Sequence, residues 1–240
     1  MRLSFETRRV IYAAVYPFLF VLLLWLIEIL MIGMNWNLSF MGINPRTGNG
    51  IIGIFFHYLV HSDFEHLWSN TLSLLVLGWF LFYFYREVSW RTLGFLWLST
   101  GILLWVIGRP GIHVGASGLI YALTFFLFFS GIFRFYIPLL AVSLTVVFLY
   151  GSMTWGIFPF SELIKPNMSW EGHLSGACSG LLAAVMFRNQ GPQKPLPVEI
   201  DDDETTLPWD KNLLSEQVTE PDHTPSHPRD GNETNALLPK

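Results

Sequence analysis

Residues 115–129 read GASGLIYALTFFLFF. The stretch opens as a tight glycine turn, with Ser117 between Gly115 and Gly118, and runs on through residues that are almost all apolar. Such a run suits the inside of a membrane helix, where a hydroxyl has little water to face. What Ser117 touches is therefore a question about the rest of the chain.

Of 240 residues, 52% are hydrophobic and 13% charged, against about 25% charged in a typical soluble domain. The charge is also divided. Residues 1–188 hold ten Lys/Arg against seven Asp/Glu, while residues 189–240 hold four against eleven. The expected organisation is a membrane body over 1–190 and an acidic tail over 191–240. That tail is too poor in apolar surface to fold alone and is expected to be disordered. The lone cysteine, Cys178, lies in an apolar run. It cannot form an internal disulfide, and a small buried hydrophobe is its expected role.

Six apolar stretches follow one another at about 10–34, 64–84, 93–107, 112–133, 136–151 and 170–187. A spanning helix needs roughly 20 such residues. The first is too long and too poorly flanked for a cleaved signal peptide. The fold class expected is an all-α polytopic membrane protein with six transmembrane helices. With a cytoplasmic N-terminus, the inner side carries Arg2, Arg8, Arg9, Arg86, Arg91, Arg134, Arg188 and Lys194. The outer side then carries Arg46, Arg109 and Lys165, in keeping with the positive-inside rule. Both termini are expected in the cytoplasm, and a bacterial inner membrane is the expected location.

In this topology the second, fourth and sixth helices all enter the membrane from outside, each with polar residues near that end. The second has His66 and Asn70, four residues apart and so on one face. The fourth has Ser117, and the sixth has His173. Polar groups in a membrane span are costly, usually face the bundle interior and mark function. A serine hydroxyl is a weak nucleophile until a base takes its proton, a task that suits neutral histidine. The oxyanion formed on attack needs preorganised donors. Backbone N–H groups at the head of the fourth helix can serve, with side-chain donors from His66 and Asn70. No acidic residue has an obvious claim behind His173, so a Ser117–His173 dyad is expected. Tyr121, one turn after Ser117, is placed to stack on the His173 ring. The spacing Gly176-x-x-x-Gly180 permits close approach of helix backbones, with Gly118 and Ala122 as the facing pair.

These residues resemble the rhomboid family of intramembrane serine proteases. The resemblance rests on H-x-x-x-N at His66–Asn70, G-x-S-G at Gly115–Gly118 and H-x-x-G-x-x-x-G at His173–Gly180, in that order. Tyr121, His57 and His61 also fall where the family pattern has them, and the resemblance covers roughly residues 10–188. It implies Ser117 as nucleophile and His173 as general base and acid. It implies an oxyanion hole of His66, Asn70 and the Ser117 N–H, with Tyr121, Gly115, Gly118, Gly176 and Gly180 in support. It further implies cleavage of transmembrane protein substrates in a lipid bilayer, without metal or other cofactor. The loop over about 152–169 would cap the cavity, with Trp155, Phe158 and Phe160 as apolar lids, and with the fifth helix it would form the substrate's way in. The chain departs from the pattern in its first outer loop, where Ile52-Gly53 stand in place of Trp-Arg.

Other residues invite plainer readings. His57 and His61 are expected to support the loop, His113 to sit at the interface, and Glu28 to have a local structural role. His223 and His227 near Asp222 fall in the tail and are not expected to form a site. Two other function classes stay open. One is a metal-handling membrane protein using His57, His61, His66 and His173. The other is a non-catalytic relative that binds membrane clients. A transporter lacks its expected internal repeat. No nucleic-acid partner is expected, and the oligomeric state is open.

Overall fold

The computed structural model describes residues 4–161 and 168–196. Lys165, part of the loop before the last helix, and the tail from 197 onward, with His223 and His227, lie outside the described residues. The elements are α1 (Phe5–Met34), a single turn α2 (Gly53–Phe56), α3 (Phe64–Phe84), α4 (Ser89–Ile107), α5 (Ser117–Arg134), α6 (Ile137–Tyr150) and α7 (Trp170–Met186). A 3-10 segment, Gly151–Ile157, continues from α6. Among the described residues there is no β-strand, only an isolated antiparallel bridge between Ile43 and His113.

The six long helices match the six apolar stretches. Among the described residues, five spans are long and apolar enough to cross a membrane by length and composition. The sixth, α7, has 17 residues, at the short limit for a spanning helix. Large apolar side chains face outward, Phe148 at 88% and Leu144 at 72% exposure, as a lipid-facing surface requires.

Helix α5 is the central post, and 67% of its spanning window is buried. It packs most extensively on α7 and also contacts α3, α4 and α6. Small residues permit this. A methyl group on Gly176 would meet the Gly118 carbonyl, and one on Gly180 would meet the Ala122 carbonyl. The facing pair expected from the sequence is the pair in contact. At the opposite end of α5, buried Arg134 donates to the carbonyls of Phe187 (2.6 Å) and Gln190 (2.8 Å), closing the C-terminus of α7. Its guanidinium also lies over the Tyr85 ring, 5.3 Å from the centroid.

Several expectations are corrected. The fourth apolar stretch, read from 112, turns helical only at Ser117. His113 is paired with Ile43 in both directions, N–H to carbonyl, at 2.8 and 2.9 Å. Gly115 then adopts φ +108°, which an L side chain rarely tolerates. Residues 112–116 are thus a strap leading to the helix rather than its first turn, and His113 is buried. Cys178 is exposed, not buried. The contact face of α7 is set by Gly176 and Gly180, and at about 100° per residue the position midway between them points away. Glu28 is buried, and its Oε2 has no hydrogen-bond partner among the described residues.

The loop between α1 and α3 lacks Trp-Arg but is firmly tied. Arg46 Nη1 donates to the carbonyls of Val106 (2.9 Å) and Gly108 (2.7 Å). Trp105 Nε1 donates to Thr47 C=O (3.1 Å), and Trp97 Nε1 to Phe55 C=O (2.9 Å). Three side chains therefore fasten the loop to α4.

Candidate active site

Ser117, Tyr121, His173, His66 and Asn70 each stand in the first two turns of their helices. Asp63 caps α3, accepting the His66 N–H at 2.8 Å. Ser169 caps α7, accepting the Gly172 N–H at 3.1 Å. Helix α5 has no side-chain cap. Its first internal bond runs from the Ile120 N–H to the Ala116 carbonyl, so the amides before Ile120 are left for another acceptor.

Ser117 Oγ lies 3.0 Å from His173 Nε2, across the α5–α7 contact. The Tyr121 ring stacks on His173 with centroids 4.2 Å apart and planes 11° from parallel. His173 is buried. Its other ring nitrogen, Nδ1, is 3.0 Å from the carbonyl oxygen of Gly156, on the 3-10 segment after α6. The Tyr121 hydroxyl donates to Met153 C=O at 2.6 Å, on the same segment. Both of these contacts from the segment are made by its backbone. The aromatic side chains expected as lids, Trp155, Phe158 and Phe160, are exposed, with Phe158 and Phe160 stacked on each other at 5.4 Å.

His66 and Asn70 both belong to this end of α3. The His66 ring packs on Gly115, and a methyl group there would overlap it. Glycine at 115 thus serves both the turn and the ring. Asn70 is 5% exposed, and its Nδ2 has no acceptor among the described residues. A buried amide donor without an acceptor is expensive, and such groups are a mark of sites that receive a ligand atom.

Two histidines hold the strap in place. The Gly115 N–H donates to the His57 carbonyl at 2.9 Å. The Ala116 N–H donates to His61 Nε2 at 3.3 Å. These two turn amides are therefore engaged, and of the G-x-S-G amides only those of Ser117 and Gly118 have no such bond among the described residues. His57 Nδ1–H donates to Gly53 C=O at 2.7 Å. Burial pushes His57 down to about 3, partly opposed by that bond. Burial likewise pushes His61 down to about 3, helped by nearby His66 and opposed by Asp63. Both rings are neutral near pH 7, and for His61 the bond itself requires this, because its Nε2 accepts from the Ala116 N–H. Among the described residues no three His, Cys, Asp or Glu side chains converge as metal ligands.

Sequence reasoning missed a brace between the strap and α7. Glu171 is buried, and its Oε1 receives the Arg109 side chain at 3.5 Å and the Arg109 N–H at 3.4 Å. Arg109 Nη2 donates to Met168 C=O at 3.0 Å. His113 Nε2–H donates to Arg109 C=O at 3.0 Å, and Nδ1 is 2.7 Å from Ser169 Oγ. The turn leading to Ser117 and the turn leading to His173 are thus joined. An acid and a base about 60 residues apart leave no local signal of their pairing.

Chemically, the arrangement offers a hydroxyl beside an imidazole, unclaimed amides at a helix start and a buried side-chain donor. A family model described as the Rhomboid domain matches residues 48–190. An uncharacterized protein of Mycobacterium tuberculosis is 35% identical over 175 residues, covering 70% of this chain and 72% of that protein. A protein of Mycobacterium bovis, also uncharacterized, matches to the same extent. An uncharacterized protein of Mycobacterium leprae is 32% identical over 177 residues, covering 70% of this chain and 68% of its own length.

Proposed function

The chain belongs to the rhomboid family, and on that premise we propose that it is an intramembrane serine endopeptidase acting through Ser117 and His173. The observation that carries the proposal is the 3.0 Å contact between Ser117 Oγ and His173 Nε2, made by two separate helices.

In the proposed reaction, His173 Nε2 takes the Ser117 proton as Oγ bonds to the scissile carbonyl carbon. The carbonyl oxygen becomes an oxyanion, held by the Ser117 N–H and by His66 and Asn70. The unsatisfied, buried Nδ2 of Asn70 supports that role, since a preorganised donor in a dry site is where such stabilisation is largest. The imidazolium returns its proton to the departing amide nitrogen as the C–N bond breaks, leaving an ester on Ser117. Water then attacks the ester, His173 takes its proton, and the acyl group leaves as a carboxylic acid while Ser117 recovers its hydrogen. Tyr121 keeps the imidazole plane fixed throughout, Gly118, Gly176 and Gly180 permit the approach of the two helices, and Gly115 makes room for the His66 ring. Substrates would be transmembrane segments of other proteins, reached in the bilayer. The basic-residue distribution and the mycobacterial relatives support a bacterial cell membrane with the site opening outward. The domain reading is a protease body over 1–190 and an acidic cytoplasmic tail over 191–240.

A fluorophosphonate probe needs an activated serine but no known substrate. Purified protein in lipid bicelles should label, and Ser117→Ala and His173→Ala should each abolish labelling while retaining the helical fold. Labelling of Ser117→Ala at the rate of the unaltered protein would overturn the assignment. A folded but inert protein would favour a client-binding role.

A further inference from the structure

The Gly156 carbonyl meets His173 where a soluble serine hydrolase commonly places a carboxylate. A carbonyl oxygen can only accept a hydrogen bond. At 3.0 Å from it, Nδ1 must carry the ring's proton. In the neutral ring Nε2 is then a bare lone pair, and it is this nitrogen that faces Ser117 Oγ at 3.0 Å. A proton on Nε2 instead would leave the ring unable to act as a base towards Ser117.

The segment bearing that carbonyl is gripped at two points. Met153 C=O takes the Tyr121 hydroxyl, and Gly156 C=O takes His173 Nδ1–H. The two rings so engaged are stacked on each other. Position 156 also has no room for a side chain. A methyl group there would overlap the Tyr121 hydroxyl and come within 3.2 Å of His173 Nδ1.

We infer that Gly156 is a positioning residue. Its carbonyl selects the His173 tautomer that can deprotonate Ser117, so that the seating of the 151–157 segment against the ring is part of what assembles the dyad. The inference rests on the proposed protease reading for its role in rate, but the tautomer itself is a property of the folded chain. The coupling needs no acidic residue, and none is bonded to His173 among the described residues.

The test uses the full chain in bicelles with nitrogen-15 in the histidine rings, the His173 signals being those lost in His173→Ala. One-bond N–H couplings report which nitrogen holds the proton. The unaltered protein should show it on Nδ1. In Gly156→Ala the signal should be lost from Nδ1 or shared between both nitrogens. Fluorophosphonate labelling should slow by roughly 10–100-fold, less than the ~10⁴-fold of a histidine held in the wrong tautomer. Tyr121→Phe keeps the stacked ring but removes the tie to Met153, and should move both readouts in the same direction by less. That variant decides the matter if Gly156→Ala does not fold. A proton on Nε2 in the unaltered protein would overturn the inference, as would Gly156→Ala with an unchanged Nδ1–H signal and unchanged labelling. A protein inert to the probe whose Nδ1–H signal is nevertheless lost in Gly156→Ala would uphold the positioning and defeat the protease reading.

Discussion

The backbone of Gly176 lies directly against the carbonyl of Gly118, with no space for a single carbon between them. Because Ser117 precedes one of these glycines and His173 stands three residues before the other, the distance between nucleophile and base is set by this contact.

Adding a side chain should therefore separate the dyad. Gly176→Val must push α7 off α5, and overpacking of this kind costs about 1–3 kcal/mol or more. The expected result is a lower melting temperature in detergent and loss of fluorophosphonate labelling. Gly94 is the control. It lies within α4 and has nothing within 4 Å of its missing side chain. Gly94→Ala should leave labelling unchanged and raise stability by about 0.5–1 kcal/mol. Equal effects at the two positions would show that the α5–α7 approach is not what glycine secures.

Asn70 should separate stability from rate. Its buried Nδ2 has no acceptor among the described residues, a cost of about 1–3 kcal/mol to the resting fold. Asn70→Leu, of similar size, removes that cost and should raise the melting temperature. The same change should slow reaction at Ser117 by ~10²–10³, the usual loss for one oxyanion donor. The comparison is between thermal melts and the pseudo-first-order labelling rate. A variant that reacts at the normal rate would remove Asn70 from the oxyanion hole.

Acid should loosen the strap before it touches the helices. His57 and His61 are buried neutral, each with its pKa lowered from 6.5 to about 3. The unfolded chain therefore binds more protons than the folded one between these limits. Stability is full above about pH 6.5 and falls as pH drops towards 3, by about 1.4 kcal/mol per pH unit for each histidine. His61→Gln keeps an acceptor for the Ala116 N–H without a titrating ring. It should flatten the decline measured by thermal unfolding from pH 7 to 4. An unchanged slope would place the acid sensitivity elsewhere.

Glu171 should prove to be a brace. Glu171→Ala leaves the Arg109 N–H and side chain without their shared oxygen and should cost about 1–3 kcal/mol. Slower labelling should accompany it, because the turns before Ser117 and His173 are no longer joined. Glu171→Gln retains an oxygen acceptor and should recover most of both. If the two variants behave alike, the charge rather than the hydrogen bond is what matters.

The helices were legible because a membrane span writes itself as an apolar run, and the meeting of Ser117, His173 and Tyr121 followed from their shared depth. Other parts left weaker marks. The strap over 112–116 reads as helix because Ile112 and Val114 are apolar, yet Gly111 and Gly115, both with positive φ, were the sign of a non-helical path. The contacts that the 151–157 segment makes to Tyr121 and His173 come from backbone carbonyls, which every sequence contains and which leave no mark of their own. The Arg109–Glu171 and Arg46–Gly108 ties join segments about 60 residues apart and have no periodicity to betray them. The exposure of Cys178 could have been read from the phase of Gly176 and Gly180 around it.

That exposed cysteine has a practical corollary. It is the chain's single thiol, and it sits on the far face of the helix that carries His173. In the bilayer that face meets lipid, one and a half turns from the imidazole and outside the packed seam, so a water-soluble maleimide should leave the folded protein unmodified and label it once the helix is released. The native sequence thus contains its own single-site reporter for the insertion and unfolding of α7, with no engineered background.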